Sequence, residues 1–427
     1  MTRSLRSCAL RIALLVAVTL APAHAYSVLT HEELIDLAWN SSIRPLLLAR
    51  FPGTTENQLR EAHAYAYGGC AIQDMGYYPF GKRLFSNLTH YVRTGDFIAW
   101  MFRNAHTRNE YAFAVGALSH YLGDSIGHSE AINPATAIEF PKLRRKYGNS
   151  ITYDQSPHGH IRTEFAFDVD ELTDLAFAPP AYLKYIGFKV PRKFLEQAFA
   201  NTYGFGLHEI LGHARPSFRS YRTSVRSFIS AFAEAEVVLH GHQFPPHPDD
   251  ESYRIFKERV SRTNYDRNWK HTYHGPGFKA HLLAVLVFLV PKVGPAADLA
   301  IKIPSTDTER EYLRSLNRTV DTFHGMLQRL NAEPKWAIAL TNIDLDKGDH
   351  VKRGDYPLAD KTYAELVAHL TSQPERTIPI DVQRNILLYY SAGNGPSDPQ
   401  PRLSAQLEKL KQMKTANGLD HEGEPIQ

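Results

Sequence analysis

The chain has 427 residues, and its content of 43% hydrophobic and 22% charged residues excludes a mostly disordered protein. Two cysteines against 21 histidines exclude both a disulfide scaffold and a cysteine-based zinc ribbon, and no uninterrupted apolar stretch approaches the roughly 18 residues of a membrane span. The formal net charge is +3, and many imidazoles and carboxylates with few thiols favour a hard or borderline metal ion.

The first 25 residues have the organisation of a cleavable signal peptide. Three arginines precede an apolar run that covers 12–20, and the tripeptide 23–25 is an A-x-A cleavage signature. Cleavage after Ala25 would make Tyr26 the N-terminus and leave the basic side chains equal in number to the 45 acidic ones. Such a balance argues against a strong electrostatic grip on nucleic acid. We therefore expect a secreted or periplasmic protein, without an intrachain disulfide because Cys70 would be its only cysteine.

Helical spacing of apolar residues dominates from Tyr26 to about Tyr221, where strand-like alternation is scarce, and further helix-like stretches follow. Stretches rich in glycine, proline and aromatic residues interrupt this spacing at 68–81 and 133–157, where we expect irregular structure. The sequence therefore predicts an all-α fold. The predicted helices cover 32–38, 110–128, 160–175, 225–238, 278–290, 308–330 and 360–371.

The clearest candidate metal ligands lie in the predicted helix 110–128. His120, Asp124 and His128 follow one another at intervals of four residues, so a helix places all three along one face. Two imidazoles and a carboxylate are suitable zinc ligands. The apolar stretch 112–118 indicates a buried helix, in which such groups need partners. The alternative is a polar helix face with incidental histidines.

Other candidates have weaker individual signals. His160 and Glu164 form a second pair at helical spacing, and Asp168 follows one turn later with an ambiguous role. Asp74 lies in the first irregular stretch, and His90 follows it. Each of these two, taken alone, is more typical of a capped turn or of a surface histidine.

The processed N-terminus supplies the last candidates. The reference pKa of an α-amine is near 8, which is low enough for a metal ion to displace the proton from Tyr26. His31 then opens the first predicted helix, with Thr30 as the expected N-cap.

The order of these motifs along the chain resembles the zinc-dependent phospholipase C superfamily. That superfamily also includes the fungal-type zinc single-strand nucleases and the catalytic domain of glycosylphosphatidylinositol-specific phospholipase D. The resemblance begins at Tyr26 and covers residues to about 175. It implies an all-α body with up to three zinc ions. The implied ligands are Asp74, His90, His120 and Asp124 for one ion, His128, His160 and Glu164 for a second, and Tyr26, His31 and a bridging Asp124 for the third.

The chain departs from the family pattern at two places. The secreted bacterial phospholipases C and the nucleases begin with tryptophan, whereas this mature chain would begin with Tyr26. Their gap between the aspartate and the next histidine is also longer than the four residues from Asp124 to His128, a spacing that looks more like the phospholipase D relative.

The resemblance implies an exported zinc-dependent phosphodiesterase of the phospholipase C type, with Asp74 as general base and a phospholipid as substrate. Its catalytic domain would cover 26–223, and residues 224–427 would form a helical C-terminal region of unknown role. Glu164 supports this interpretation because the nucleases favour aspartate there. The apolar segment 278–290 could contact a lipid interface or form a buried core helix.

Two other functions stay open at this point. A zinc single-strand nuclease would need base-stacking aromatics, for which Tyr65, Tyr67, Tyr77 and Tyr78 are candidates, although they are as typical of a core. A non-catalytic protein would use zinc in place of disulfides, with a C-terminal half that binds a partner.

The remaining polar motifs suggest no site. Asp344, Asp346 and Asp349 resemble a calcium loop, but Asp355 stands where an EF-hand needs glutamate, so we expect a polar turn. Seven histidines show no common helix face and are expected to be surface or core residues: His208, His213, His240, His242, His247, His271 and His274.

Overall fold

The computed structural model describes residues 27–173, 175–212, 214–269, 271, 275–289, 300–333, 338–392 and 401–416. The predicted signal peptide and Tyr26 lie outside these residues. The fold is all-α, as expected. Its helices are α1 (Val28–Ala38), α2 (Arg44–Arg50), α3 (Glu56–Cys70), α4 (Arg83–Tyr91), α5 (Thr94–Asn104), α6 (Arg108–Gly127), α7 (Asn133–Glu139), α8 (Pro141–Tyr147), α9 (Pro157–Thr173), α10 (Pro180–Ile186), α11 (Arg192–Tyr203), α12 (Leu207–Leu211), α13 (Ala214–Thr223), α14 (Ser230–His240), α15 (Glu251–Val260), α16 (Asn264–Asn268), α17 (Phe278–Leu289), α18 (Thr306–Ala332), α19 (Pro357–Thr371), α20 (Ile380–Ala392) and α21 (Pro401–Gln412).

Short segments of other structure complete the described chain. Two strands of two residues each, β1 (Ile378–Pro379) and β2 (Thr415–Ala416), pair in parallel. π-Helical turns at Trp39–Ile43, His128–Ile132 and Ser224–Ile229 each continue a neighbouring helix. The last of these joins α13 to α14, so the predicted domain boundary between 223 and 224 lies inside a continuous helical run.

Most long helices lie where the apolar spacing predicts them, but two local predictions are wrong. Segment 133–157, expected to be irregular, contains α7 and α8. Each has a proline in its first turn, where a missing N–H costs nothing. The first helix begins at Val28 rather than after Thr30. The carboxylate of Asp168 accepts the backbone N–H groups of Leu29 and Thr30, each at 3.0 Å, and so caps the helix from α9.

Helix α6 forms the centre of the fold, and it packs closely against α3. A Cβ atom added at Gly69 would lie 2.1 Å from the carbonyl oxygen of Phe113, and one added at Gly116 would lie 2.1 Å from that of Ala66. Only glycine permits this approach of two helix backbones. A capping box of Thr107 and Glu110 fixes the start of α6.

The C-terminal half packs onto the same core. Helix α18 lies against α1 and α6, and the ring of its Tyr312 stacks on Phe167 of α9 at 4.4 Å. Segment 338–350 lies against α5 and α6 at two glycines. A Cβ atom at Gly95 would meet the Leu340 carbonyl oxygen at 2.5 Å, and one at Gly348 would meet that of Ser125 at 2.5 Å. Residues from both halves therefore share one hydrophobic core.

Helix α17 has an unusual distribution of apolar side chains. Ala280, Ala284 and Val287 are buried on the side that packs against α14. Phe278 and Phe288 are 83% and 74% exposed, and Leu282 and Val285 are more than half exposed. Among the described residues, no helix combines the length and the apolar character needed to cross a bilayer.

Candidate metal centre

Helix α6 carries the first pair of the candidate ligands into the core. The Nε2 atom of His120 lies 3.0 Å from Oδ2 of Asp124, one helical turn later, and both side chains are fully buried. The Nδ1 atom of His120 lies 2.9 Å from the carbonyl oxygen of Cys70 at the end of α3. Because a carbonyl only accepts, Nδ1 carries the proton and Nε2 is the ligand atom. The close packing of α3 on α6 therefore orients this imidazole.

His31 and His90 approach the same carboxylate from two other helices. His31 Nε2 lies 3.2 Å from Oδ1 of Asp124, and His90 Nε2 lies 3.3 Å from Oδ2. His90 Nε2 is also 3.4 Å from Oδ1 of Asp74, which lies in the 3₁₀ segment Ile72–Tyr77. The Ser86 carbonyl accepts from His90 Nδ1 at 2.7 Å, which again leaves Nε2 for a metal ion.

These five side chains form two overlapping groups. His31, His120 and Asp124 bring ligand atoms within 4.8 Å of one another, and so do Asp74, His90 and His120. His120 belongs to both groups, so two ions held there would be neighbours.

A third group continues the row on α6. His128, His160 and Glu164 also bring ligand atoms within 4.8 Å of one another. His160 Nδ1 lies 2.6 Å from Oε1 of Glu164, while its Nε2 lies 2.6 Å from Oδ1 of Asn133. The Asn133 amide oxygen fixes the proton on Nε2 and turns Nδ1 toward Glu164. This arrangement matches the way ligand histidines are usually oriented.

The donor set fits zinc. Imidazole nitrogens and carboxylate oxygens are its ordinary ligands. Both oxygens of Asp74 and of Asp124 are buried beside imidazole nitrogens and lack a hydrogen-bond partner. Nε2 of His128 and Oε2 of Glu164 are also buried and lack one. Buried polar atoms are normally satisfied, so atoms that converge in this way without hydrogen bonds indicate a place for a cation.

The charges of the site are mutually dependent. Burial alone would raise the pKa of Asp124, but the imidazoles of His120, His31 and His90 outweigh it and hold this pKa well below its ordinary value. Burial would lower the pKa of His90, but Asp124 and Asp74 raise it to about 10. Burial and the nearby His120 lower the pKa of His31. Asp124 is therefore ionised across the neutral range, as a carboxylate that binds a metal ion must be.

Asp346 also lies at this site, a position that no local sequence pattern predicts. The expected polar turn is present, with an antiparallel bridge between Ile343 and His350. From it, Asp346 Oδ1 lies 3.2 Å from Nδ1 of His128. The hydroxyl of Tyr91 donates to Oδ2 at 2.9 Å, and the hydroxyl of Tyr356 donates to the same oxygen. A turn in the C-terminal half therefore supports His128, a candidate ligand in the π-helical turn that continues α6.

Asp168, whose role was ambiguous, is not a ligand in any of these groups. Besides the two backbone N–H groups at the start of α1, its carboxylate accepts the hydroxyl of Thr30 at 2.7 Å. Burial raises the pKa of Asp168 to about 6, against hydrogen bonds from Ser27 and Thr30 that lower it. Asp168 thus fixes the segment that leads to His31 and that directly follows Tyr26.

The structure brings together every candidate ligand that it describes. They are His31, Asp74, His90, His120, Asp124, His128, His160 and Glu164. The Tyr26 backbone lies outside the described residues. Among the tyrosines considered for base stacking, Tyr67, Tyr77 and Tyr78 are buried and belong to the core, and Tyr77 lies beside His90 with ring centroids 5.9 Å apart.

The chain matches a known protein family over part of its length. Residues 30–209 match the family model described as "Zinc dependent phospholipase C". This segment contains all the described candidate ligands, whereas Asp346 lies outside it. No curated protein and no solved structure matches the chain.

Proposed function

We propose that this chain, whose residues 30–209 belong to the zinc-dependent phospholipase C family, is an exported phosphodiesterase that hydrolyses phospholipids in a multi-zinc site. The family match confirms the resemblance predicted from the sequence. The observation that carries the proposal is the convergence of three buried His/Asp/Glu groups along α6. The residues of each group come from different segments of the chain, so each group forms only when the chain folds.

The residues divide between holding metal and handling a proton. Bound zinc would supply a water that is acidic at neutral pH and positive charge for the phosphoryl oxygens. We assign Asp74 as the general base. Its carboxylate is buried beside His90 in the group that also contains His120. From there it would accept a proton from the reacting water. Asn133 and the carbonyls of Cys70 and Ser86 keep the imidazoles in the tautomers that binding requires.

The exposed apolar row of α17 supports a lipid aggregate as the substrate. Phe278, Leu282, Val285 and Phe288 are all exposed on this helix. Insertion of such a row into the interfacial region of a membrane lowers the free energy, because apolar side chains leave water. The proposed signal peptide at 1–25 would bring the protein to the compartment in which such a surface is available.

One observation favours the non-catalytic alternative. Each described candidate ligand is at most 1% exposed, as in structural zinc sites, which are closed. Under this alternative, the ions would stabilise the fold and hydrolyse nothing.

The test is a hydrolysis assay on the zinc-loaded, processed protein, with phosphatidylcholine vesicles and single-stranded DNA as parallel substrates. We expect release of phosphorylated head group from the vesicles, abolished by a chelator and restored by zinc. His120→Asn should remove this activity, while His106→Asn, at an exposed position, should retain it. Cleavage of DNA alone would establish the nuclease, and metal-loaded protein inert on both substrates would establish the non-catalytic alternative.

A further inference from the structure

A fourth group of candidate ligands lies apart from the three groups around α6. We call those three groups together the family centre, because their residues lie within the segment 30–209 that matches the family model. Asp170 of α9, His247 of the segment before α15, and Glu309 of α18 bring ligand atoms within 4.8 Å of one another. Asp170 and Glu309 are buried, and the side chain of His247 is 16% exposed. The sequence assigned no site to any of the three, because they come from distant segments and share no helical spacing.

This group shares no ligand with the family centre. His160, Glu164 and Asp168 follow at intervals of four residues and so lie along one face of α9. Asp170 comes two residues after Asp168, which turns its side chain about 200° around the helix. Its carboxylate therefore points away from the face that holds His160 and Glu164.

The chemistry of the three side chains suits a divalent metal ion. Two carboxylates and one imidazole are a donor set that zinc binds in proteins. A divalent ion would balance the two carboxylates and leave the imidazole neutral.

The position of the imidazole is fixed by its neighbours. Tyr253 of α15 stacks on His247 with ring centroids 4.8 Å apart and planes 15° from parallel. His247 Nδ1 is in direct contact with Oε1 of Glu309. The ring therefore needs little reorganisation to bind an ion, which reduces the entropic cost of binding.

We propose that Asp170, His247 and Glu309 hold a structural zinc ion that is separate from the family centre. The ion would link α18 and the segment before α15, both in the C-terminal half, to α9, which lies in the segment 30–209 that matches the family model. We call that segment the family segment. Cys70 is the only cysteine in the described part of the chain, and it is free, so the ion would provide a cross-link that cysteines do not. This proposal does not rest on the catalytic one.

The test is the zinc content of the full processed chain, measured by mass spectrometry after dialysis. His247→Ala should contain about one ion per chain fewer than the natural protein, and it should keep its hydrolytic activity because His247 shares no group with Asp74 or with the other candidate ligands around α6. His208→Ala, at an exposed histidine that belongs to none of the four groups, is the control and should lose no zinc. Added zinc should raise the thermal midpoint of the natural protein more than that of His247→Ala.

A second variant protects the test against a simple folding defect. Glu309→Gln keeps the size of the side chain and removes its charge, and it should also lose about one ion. Equal zinc content in both variants and the natural protein would overturn the proposal and leave an ordinary buried ion pair. His120→Asn separates the two sites, because it should lose zinc only from the family centre.

Discussion

The Asp346 carboxylate lies 3.2 Å from Nδ1 of His128, so a turn of the C-terminal half supports a candidate ligand of the family segment. Burial would raise the pKa of Asp346, but His128 outweighs it and lowers this pKa below its ordinary value. Carboxylates behind ligand histidines commonly fix the ring and increase its basicity. The C-terminal half therefore contributes a side chain to the candidate metal centre.

Asp346→Asn should weaken zinc binding because it removes the negative charge behind His128 and keeps the shape of the side chain. We expect a loss of about 10- to 100-fold in zinc affinity, measured by competition with a chromogenic chelator. Asp349→Asn changes an exposed side chain of the same turn and should behave as the natural protein does. Unchanged affinity in Asp346→Asn would show that the contact is structural only.

Sequence spacing predicts ligands that lie on one helix but not ligands that distant segments bring together. Four-residue spacing identified His120 with Asp124 and His160 with Glu164, because one helix sets that geometry locally. Asp346 had no such signal. Its turn reaches His128 only through tertiary packing at Gly348 and Gly95, and no local pattern reports packing between distant segments. Segment 133–157 shows a second limit. Proline both ends helices and starts them, so the prolines in the first turns of α7 and α8 do not distinguish a helix from a break.

The glycines between α3 and α6 should be essential to both stability and metal binding. Gly116→Ala would place a methyl group 2.1 Å from the Ala66 carbonyl oxygen, so the helices must separate. Overpacking of this kind costs about 1–3 kcal/mol of unfolding free energy, measurable by urea denaturation, and it should lower zinc content because Cys70 no longer orients His120.

Gly325 offers a matched control for this substitution. It lies on α18 with nothing within 4 Å of an added Cβ, so Gly325→Ala should increase the unfolding free energy by roughly 0.5–1 kcal/mol. Equal effects of the two substitutions would show that the close approach of α3 and α6 is not needed.

The exposed row on α17 should matter for vesicles and not for dissolved substrate. Burial of each phenylalanine in an apolar environment contributes roughly 1.5–3 kcal/mol, so Phe278→Ser with Phe288→Ser should lower vesicle affinity by at least about tenfold. Sedimentation with phosphatidylcholine vesicles measures it, and hydrolysis of a short-chain soluble phospholipid should not change. Leu388→Ser, at an exposed leucine of α20, is the control. Vesicle binding by the double variant equal to that of the natural protein would exclude α17 as the lipid contact.

Removal of metal should destabilise the folded chain. Without a cation, buried carboxylates such as Asp74 and Asp124 keep unsatisfied oxygens, and a ligand present at 100 times its dissociation constant adds about 2.7 kcal/mol to stability. Chelation should therefore lower the thermal midpoint, and zinc should restore it. His120→Asn should show a smaller response, and an equal response in this variant would place the stabilising ions elsewhere.

Asp168→Asn should separate the group of His31 from the group of His160. The substitution puts an amide NH₂ where the carboxylate accepts the N–H groups of Leu29 and Thr30, and loss of such buried hydrogen bonds costs about 1–3 kcal/mol of unfolding free energy. The start of α1 should then loosen, and zinc bound by the His31 group should be lost first, as measured by metal content after graded chelation. Asp355→Asn, an exposed position, is the control. If the His128 group emptied first instead, Asp168 would act through α9, which carries His160 and Glu164, and not through the N-terminal segment that it caps.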